Sequence, residues 1–216
     1  MLKTKIYAGS VSNLTDARYF AAWEAEWLGF NFDPGADEYL TPANMIAVKD
    51  WTDGVKITGE FGIMHSPEDV RAAIDLVGLD AIHLGMYVES ETASQLADTE
   101  MIKEFVVQED TTETDIKEHI YDFAAFTNTF LLDFTKTDYT WERLCGEEGI
   151  SVSFLREICQ EFRVIVALDF TGETVEKFLE TVFPYGIRLK GGAEEKVGFK
   201  SFDEIDEVLE AIEIYR

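Results

Sequence analysis

Short apolar runs alternate with amphipathic segments from one end of the chain to the other. The apolar runs predict eight strands, at residues 5–8, 27–32, 54–61, 81–84, 104–107, 129–133, 163–168 and 186–190. The amphipathic segments predict helices from a cap at 13 or 15 to 25, at 42–49, 66–77, 90–97, 112–123, within 141–160, at 172–182 and at 202–214. Each predicted strand is therefore followed by a predicted helix.

This strict alternation favours one fold class. Strand–helix repeats imply a parallel sheet, and eight of them indicate closure into a (βα)8 TIM barrel. The alternative is a doubly wound open sheet, which normally has fewer strands and a phosphate-binding loop after the first one. Because no linker, low-complexity tract or change of composition interrupts the repeats, we expect a single domain over residues 1–216.

The composition narrows the classes of partner. The chain has 43 Asp and Glu against 18 Lys and Arg, a formal charge of −25, with 46% hydrophobic residues. We expect a large buried core, and no nucleic-acid or anionic membrane partner, because neutralising phosphates requires clustered basic residues. The long-range field also repels anionic substrates, so a phosphate site would have to be a local cradle.

Nothing in the sequence indicates a membrane span or an oxidising compartment. No stretch approaches the roughly 20 uninterrupted apolar residues of a transmembrane helix, and the N-terminus has no signal-peptide pattern. Cys145 and Cys159 on one helix would lie about 21 Å apart, too far for a disulfide. We therefore expect a cytoplasmic protein.

Polar residues end most of the predicted strands. In a barrel of this class the active site forms at the C-terminal ends of the strands. The residues at those positions are Tyr7, Asp33, Glu60, His83, Gln108, Asp133, Asp169 and Lys190. Arg188 and Lys190 lie two residues apart on one strand and so share a face. Some of these residues are expected to be ordinary solvated loop residues.

The order and spacing of several motifs resemble the phosphoribosylanthranilate isomerase family, barrel enzymes of tryptophan biosynthesis that rearrange an aminoaldose phosphate to a ketose. The resemblance covers nearly the whole chain and is strongest over residues 5–84. The matching segments are Lys5-Ile6 with Ser12-Asn13-Leu14-Thr15-Asp16-Ala17, Leu28-Gly29-Phe30-Asn31-Phe32 with Pro34, Tyr39 and Pro42, Gly62 with Ser66-Pro67-Glu68, Gly78-Leu79-Asp80-Ala81-Ile82-His83-Leu84, Leu131-Leu132-Asp133, and Gly191-Gly192-Ala193-Glu194 with Gly198 and Lys200.

The departures from the family pattern fall on residues that carry its reaction. The cysteine that acts as general base in the family aligns with Tyr7 or Ala8, and a phenol of ordinary pKa is a poor base at neutral pH. The substrate-binding arginine aligns with Glu38, and the seventh-strand Ser-Gly-Gly phosphate cradle aligns with Leu168-Asp169-Phe170. The eighth-strand aspartate aligns with Arg188, and the histidine after Leu84 is replaced by Gly85.

One catalytic position is retained. Asp133 stands where the resemblance places the general acid, although a strand-end aspartate that caps the next segment is an equal alternative. Asp169 is the candidate base of a substituted active site. Lys190, Gly191, Gly192 and His83 are the candidate substrate- and phosphate-binding residues, with a plain turn as the alternative for the glycines.

We expect no cofactor and no metal. The three histidines, His65, His83 and His119, share no metal-binding spacing, and only a meeting of Asp33, His83 and Asp133 in the folded chain would supply ligands.

Three hypotheses follow from these residues. The first is an isomerase-like barrel whose own isomerase activity is lost or altered and which binds a small, phosphorylated or other, molecule. The second is a working isomerase with substituted machinery. The third is a non-catalytic scaffold subunit. The oligomeric state is left open.

Overall fold

The computed structural model describes residues 1–62, 65–146, 149–191, 194–196 and 199–214. Its strands are β1 (Lys5–Gly9), β2 (Trp27–Asn31), β3 (Lys56–Phe61), β4 (Ala81–Leu84), β5 (Glu100–Val106), β6 (Thr129–Asp133), β7 (Arg163–Ala167), β8 (Gly186–Lys190), β9 (Glu194–Lys196) and β10 (Phe199–Lys200). Its helices are α1 (Leu14–Ala22), α2 (Pro42–Lys49), α3 (Pro67–Val77), α4 (Ser90–Gln95), α5 (Glu113–Phe123), α6 (Trp141–Leu144), α7 (Val152–Glu161), α8 (Gly172–Val182) and α9 (Asp203–Ala211).

Strands β1 to β8 form a closed parallel barrel in sequence order, and β8 pairs back onto β1 from Lys5↔Gly186 to Gly9↔Lys190. The predicted (βα)8 TIM barrel is confirmed, and the open-sheet alternative is wrong. Capping boxes begin α3 at Ser66, α5 at Thr112 and α8 at Thr171, so polar side chains satisfy the first backbone N–H groups of these helices. None of the helices in the described part of the chain has the length and apolar character needed to cross a bilayer.

Strand β5 differs from its prediction. It begins at Glu100, whereas the sequence pattern predicted a start at residue 104. The prediction was wrong because Lys103 and Glu104 interrupt the apolar run. Their side chains point to opposite faces of the sheet. Lys103 is fully buried beneath α5, where its Nζ donates to the carbonyls of Gly85 (2.5 Å) and Met86 (3.1 Å). Burial lowers the pKa of Lys103 to about 7.

Two other expectations change. The predicted helix within 141–160 is two helices, α6 and α7, so Cys145 and Cys159 do not share a helix; both are free thiols. A short antiparallel pair, β9 with β10, lies between β8 and α9, where the sequence pattern predicted no strand.

The barrel interior has an apolar lower layer. It consists of Trp27, Ala81, Ile102, Leu131, Ile165 and Ala167 together with the ring of Tyr7, whose hydroxyl group reaches the polar residues above the layer. Below it, Lys56 forms ion pairs with Glu26 (3.3 Å) and Glu100 (2.7 Å), and the Trp27 indole N–H donates to Glu100. This end of the barrel is therefore sealed, and the open end lies at the C-terminal ends of the strands.

Candidate functional site

Six strands each send one polar side chain into the barrel above the apolar layer. We call these residues the interior cluster: Tyr7, Glu60, His83, Glu104, Asp133 and Arg188. Because alternate residues of a strand face opposite sides of the sheet, each of them faces the barrel axis while its neighbours pack against helices. The cluster therefore occupies the space directly beneath the open end.

Arg188 is the centre of the interior cluster. It is only 8% exposed, and its guanidinium lies 3.2 Å from Glu60 Oε1, 3.5 Å from Asp133 Oδ2 and 3.9 Å from Glu104 Oε1. Burial opposes the charge of Arg188, but the three carboxylates and Tyr7 outweigh it and raise the arginine's pKa. Three strands other than its own thus supply the counter-charges that a buried arginine requires.

Glu60 accepts the largest number of hydrogen bonds in the cluster. Donors are the Tyr7 hydroxyl (2.7 Å), the Arg188 Nη2 group (3.2 Å), and the backbone N–H and hydroxyl of Ser10. Burial favours the neutral acid, yet the positive charge of Arg188 and the hydrogen bonds to Glu60 hold its pKa well below the usual range. Glu60 is therefore an ionised, fully engaged acceptor.

His83 lies between Tyr7 and Glu104. Its Nδ1 lies 2.9 Å from the Tyr7 hydroxyl oxygen, and its Nε2 lies 3.7 Å from Glu104 Oε1. Burial lowers the pKa of His83, but Glu104 and Glu60 outweigh burial and raise it. Glu104 responds in the opposite direction: burial raises its pKa, while His83 and Arg188 bring it down to about 2. The imidazolium and the carboxylate stabilise each other's charged form.

Both carboxylate oxygens of Asp133 contact neighbouring groups. It is 2% exposed, and its Oδ1 accepts from the backbone N–H (2.8 Å) and the hydroxyl (2.6 Å) of Thr135. Its Oδ2 faces Arg188. The contact with Thr135, two residues on, is the local capping role that the sequence left as the alternative to catalysis.

Two glycines make room for the cluster. A Cβ at Gly9 would overlap the Arg188 guanidinium, and a Cβ at Gly29 would overlap Glu60 Oε1 and the Tyr7 hydroxyl. The close approach of backbone to buried charge therefore depends on glycine at both positions.

Beside the interior cluster, at the C-terminal ends of β6, β7 and β8, lies a cavity of about 1070 Å³. We call it the mouth cavity. Asp169, Lys190 and Gly191 line it, and Arg188 forms part of its inner wall. The carboxylate of Asp16 lies against Gly191, since a Cβ there would come within 2.6 Å of Asp16 Oδ2.

The candidate residues predicted from the sequence therefore separate into two places. Asp133 and His83 lie in the interior cluster, whereas Asp169, Lys190 and Gly191 lie in the mouth cavity. Gly192 lies outside the described residues. Sequence reasoning missed Glu104, because the strand was expected to start there and the residue was not considered a strand-end group.

The remaining strand-end residues take other roles. Asp33 Oδ1 lies 2.6 Å from His65 Nε2, and its Oδ2 accepts from the backbone N–H of Gly62. Gln108 is exposed. Within the described ranges, no group of three or more His, Cys, Asp or Glu residues has the geometry to hold a metal ion.

No protein-family model matches the chain. Two relatives are each named N-(5'-phosphoribosyl)anthranilate isomerase: one from Aquifex aeolicus, 24% identical over 215 residues, and one from Chlorobium luteolum, 24% identical over 219 residues. Each match covers 97% of this chain and 97% of the relative.

Solved structures give the same result for the fold. The phosphoribosylanthranilate isomerase of Thermotoga maritima matches with a TM-score of 0.76 and 21% identity, over 97% of this chain and 98% of that one. The Thermus thermophilus isomerase matches with a TM-score of 0.73 and 22% identity, over 96% and 98%. The distant resemblance to this family that the sequence predicted is confirmed.

Proposed function

We propose that this chain is a phosphoribosylanthranilate isomerase-like barrel protein whose isomerase activity is lost or much reduced, and that it binds a small molecule in the mouth cavity. One observation carries the proposal: Arg188, at 8% exposure, is ion-paired with Glu60 and Asp133 in the barrel interior. The residue that aligns with an acid of the family is a cation, and it engages the one retained catalytic carboxyl group.

The position of the family's general base supports the loss of activity. Tyr7 is fully buried and donates its hydroxyl proton to Glu60 at 2.7 Å. Burial, together with the negative charge of Glu60, raises the pKa of Tyr7 well above its ordinary value. A phenol in this setting keeps its proton at neutral pH and does not act as a base. The neighbouring alternative, Ala8, has no titratable group.

The engagement of Asp133 by neighbouring groups argues against the substituted active site. Acid and base of such a site must both reach the substrate within hydrogen-bond distance. Asp133 is 2% exposed and engaged by Thr135 and Arg188, while Asp169 lines the mouth cavity. Asp133 would have to give up one of these two contacts to donate a proton to a substrate.

The surroundings of the expected phosphate cradle weaken anion binding. Asp16 lies against Gly191, and Asp169 faces the same cavity. The first turn of α9 carries Asp203, Glu204 and Asp206, so the helix's own carboxylates occupy the end of the dipole that attracts anions. Of the two predicted phosphate-binding residues that line this cavity, Lys190 and Gly191, Lys190 brings the positive charge.

Binding of a substrate-like compound tests the proposal. One phosphoribosylanthranilate isomerase structure, with a TM-score of 0.75 to this chain, contains reduced 1-(o-carboxyphenylamino)-1-deoxyribulose 5-phosphate. Calorimetric titration of that compound into the purified protein is expected to show no saturable binding at micromolar concentration. Micromolar binding that is abolished in Asp133→Asn would show that Asp133 contacts the ligand, and the proposal would fail.

A further inference from the structure

The mouth cavity is lined by carboxylates from two elements. Asp169 follows β7, and Asp203, Glu204 and Glu207 belong to α9, which packs over this part of the barrel. All four side chains are exposed. A cationic group inside the cavity would therefore meet negative charge from both β7 and α9.

The basic residues of the cavity lie at the ends of β6 and β8, on either side of β7 and Asp169. Lys136 follows β6 and Lys190 ends β8, and neither forms an ion pair with a residue of the described ranges. Arg188 closes the inner wall, but its Nε–H is buried against Gly9 of β1 and the charge of its guanidinium is balanced by the interior cluster. The two lysines therefore supply the donors for a hydrogen-bond acceptor.

Part of the cavity lining is apolar. Leu168, Phe170, Leu189, Ile205 and Val208 contribute to it. A volume of about 1070 Å³ exceeds what a small inorganic ion fills and suits an organic molecule with an apolar body.

We propose that the mouth cavity binds an amino-acid-like molecule: a protonated amine and a hydrogen-bond acceptor carried on an apolar body. The amine is held by Asp169 and the carboxylates of α9, and the acceptor faces Lys190 and Lys136. This inference rests on the proposed function, since it names the ligand class of the same cavity. This ligand class replaces the phosphorylated molecule that the sequence analysis considered, because the carboxylates at the start of α9 repel a second negative charge on the ligand.

Three matched probes test the ligand class by calorimetry and thermal shift. Phenylalanine has amine and carboxylate, phenethylamine lacks the carboxylate, and phenylpropionate lacks the amine. Phenylalanine is expected to bind most tightly, and phenylpropionate at least about tenfold more weakly. Equal or tighter binding of phenylpropionate overturns the inference, as does the absence of any thermal shift with all three probes at millimolar concentration.

Variants locate the site. The double variant Asp169→Asn, Glu204→Gln removes two exposed cavity carboxylates and is expected to weaken phenylalanine binding about three- to tenfold. Glu118→Gln, an exposed carboxylate on α5 away from the cavity, is the matched control and should leave binding unchanged. Equal effects of both changes would contradict the assigned site.

Failure of this inference is distinguishable from failure of the proposed function. Isomerase turnover by the wild-type protein would refute the proposed function whichever probe binds. Absence of turnover combined with a preference for phenylpropionate would refute only the ligand class.

Discussion

Replacing Arg188 with methionine removes the central cation of the interior cluster while keeping a long apolar side chain. At an effective dielectric constant of about 20, contacts at 3.2, 3.5 and 3.9 Å each correspond to about 4–5 kcal/mol of Coulomb attraction. The cost of dehydrating the arginine offsets much of this attraction. Because the variant leaves buried carboxylates without their counter-charge, we expect a net loss of about 3–5 kcal/mol in the free energy of unfolding at pH 7.

The loss should depend on pH. In the wild type, the folded-state pKa values of Glu60 and Glu104 lie below their unfolded values, so their stabilising contribution is present above about pH 4.3 and is lost as pH falls through the folded values. Without Arg188, the same carboxyl groups can take up protons more readily. The difference in the free energy of unfolding between wild type and Arg188→Met should therefore become smaller as the pH is lowered from 7 to 4.

Urea unfolding followed by circular dichroism measures this difference. Arg188→Lys, which retains one positive charge, should lose less stability and serves as a second variant if Arg188→Met does not fold. Arg71→Met, which removes an arginine from an exposed ion pair with Asp98, is the control and should have a much smaller effect. A loss below about 1 kcal/mol for Arg188→Met, or one that does not vary with pH, would refute the reasoning.

Three further changes test neighbouring parts of the barrel. Tyr7→Phe should cost about 1–3 kcal/mol in urea unfolding, because Glu60 loses a buried donor and His83 loses its partner; an unchanged midpoint would contradict this. Gly29→Ala should cost about 1–3 kcal/mol, since its Cβ overlaps Glu60 and Tyr7; neutral behaviour would show that the cluster relaxes freely. Between about pH 7 and pH 10, the stability of the wild type should rise relative to Lys103→Met, because only the unfolded state keeps Lys103 protonated there; parallel pH profiles would contradict the lowered pKa.

The barrel could be predicted because its apolar runs and helix caps are local signals. The capping boxes at Ser66, Thr112 and Thr171 and the proline at the start of α2 lie within a few residues of the helices they begin. The start of strand β5 was predicted wrongly, because Lys103 and Glu104 interrupt its apolar run. Each is accommodated by partners distant in sequence: carbonyls of the β4–α4 loop for Lys103, and His83 and Arg188 for Glu104.

The site was less accessible to sequence reasoning for the same reason. Spacing on β8 shows that Arg188 and Lys190 share a face, but not that this face points into the barrel and brings Arg188 to Glu60 and Asp133. The resemblance identified Asp133 as a candidate. It did not show that Thr135 donates a hydrogen bond to one carboxylate oxygen and that Arg188 forms an ion pair with the other. A buried charge network depends on partners from different strands, and only the closed barrel brings them together.

Turnover of phosphoribosylanthranilate by the purified wild-type protein, followed by loss of substrate fluorescence, tests the central claim most directly. With Tyr7 protonated and Asp133 engaged by Arg188, we expect no conversion above the rate without protein. Robust conversion that disappears in Asp133→Asn, with the fold of the variant intact by circular dichroism, would contradict the account.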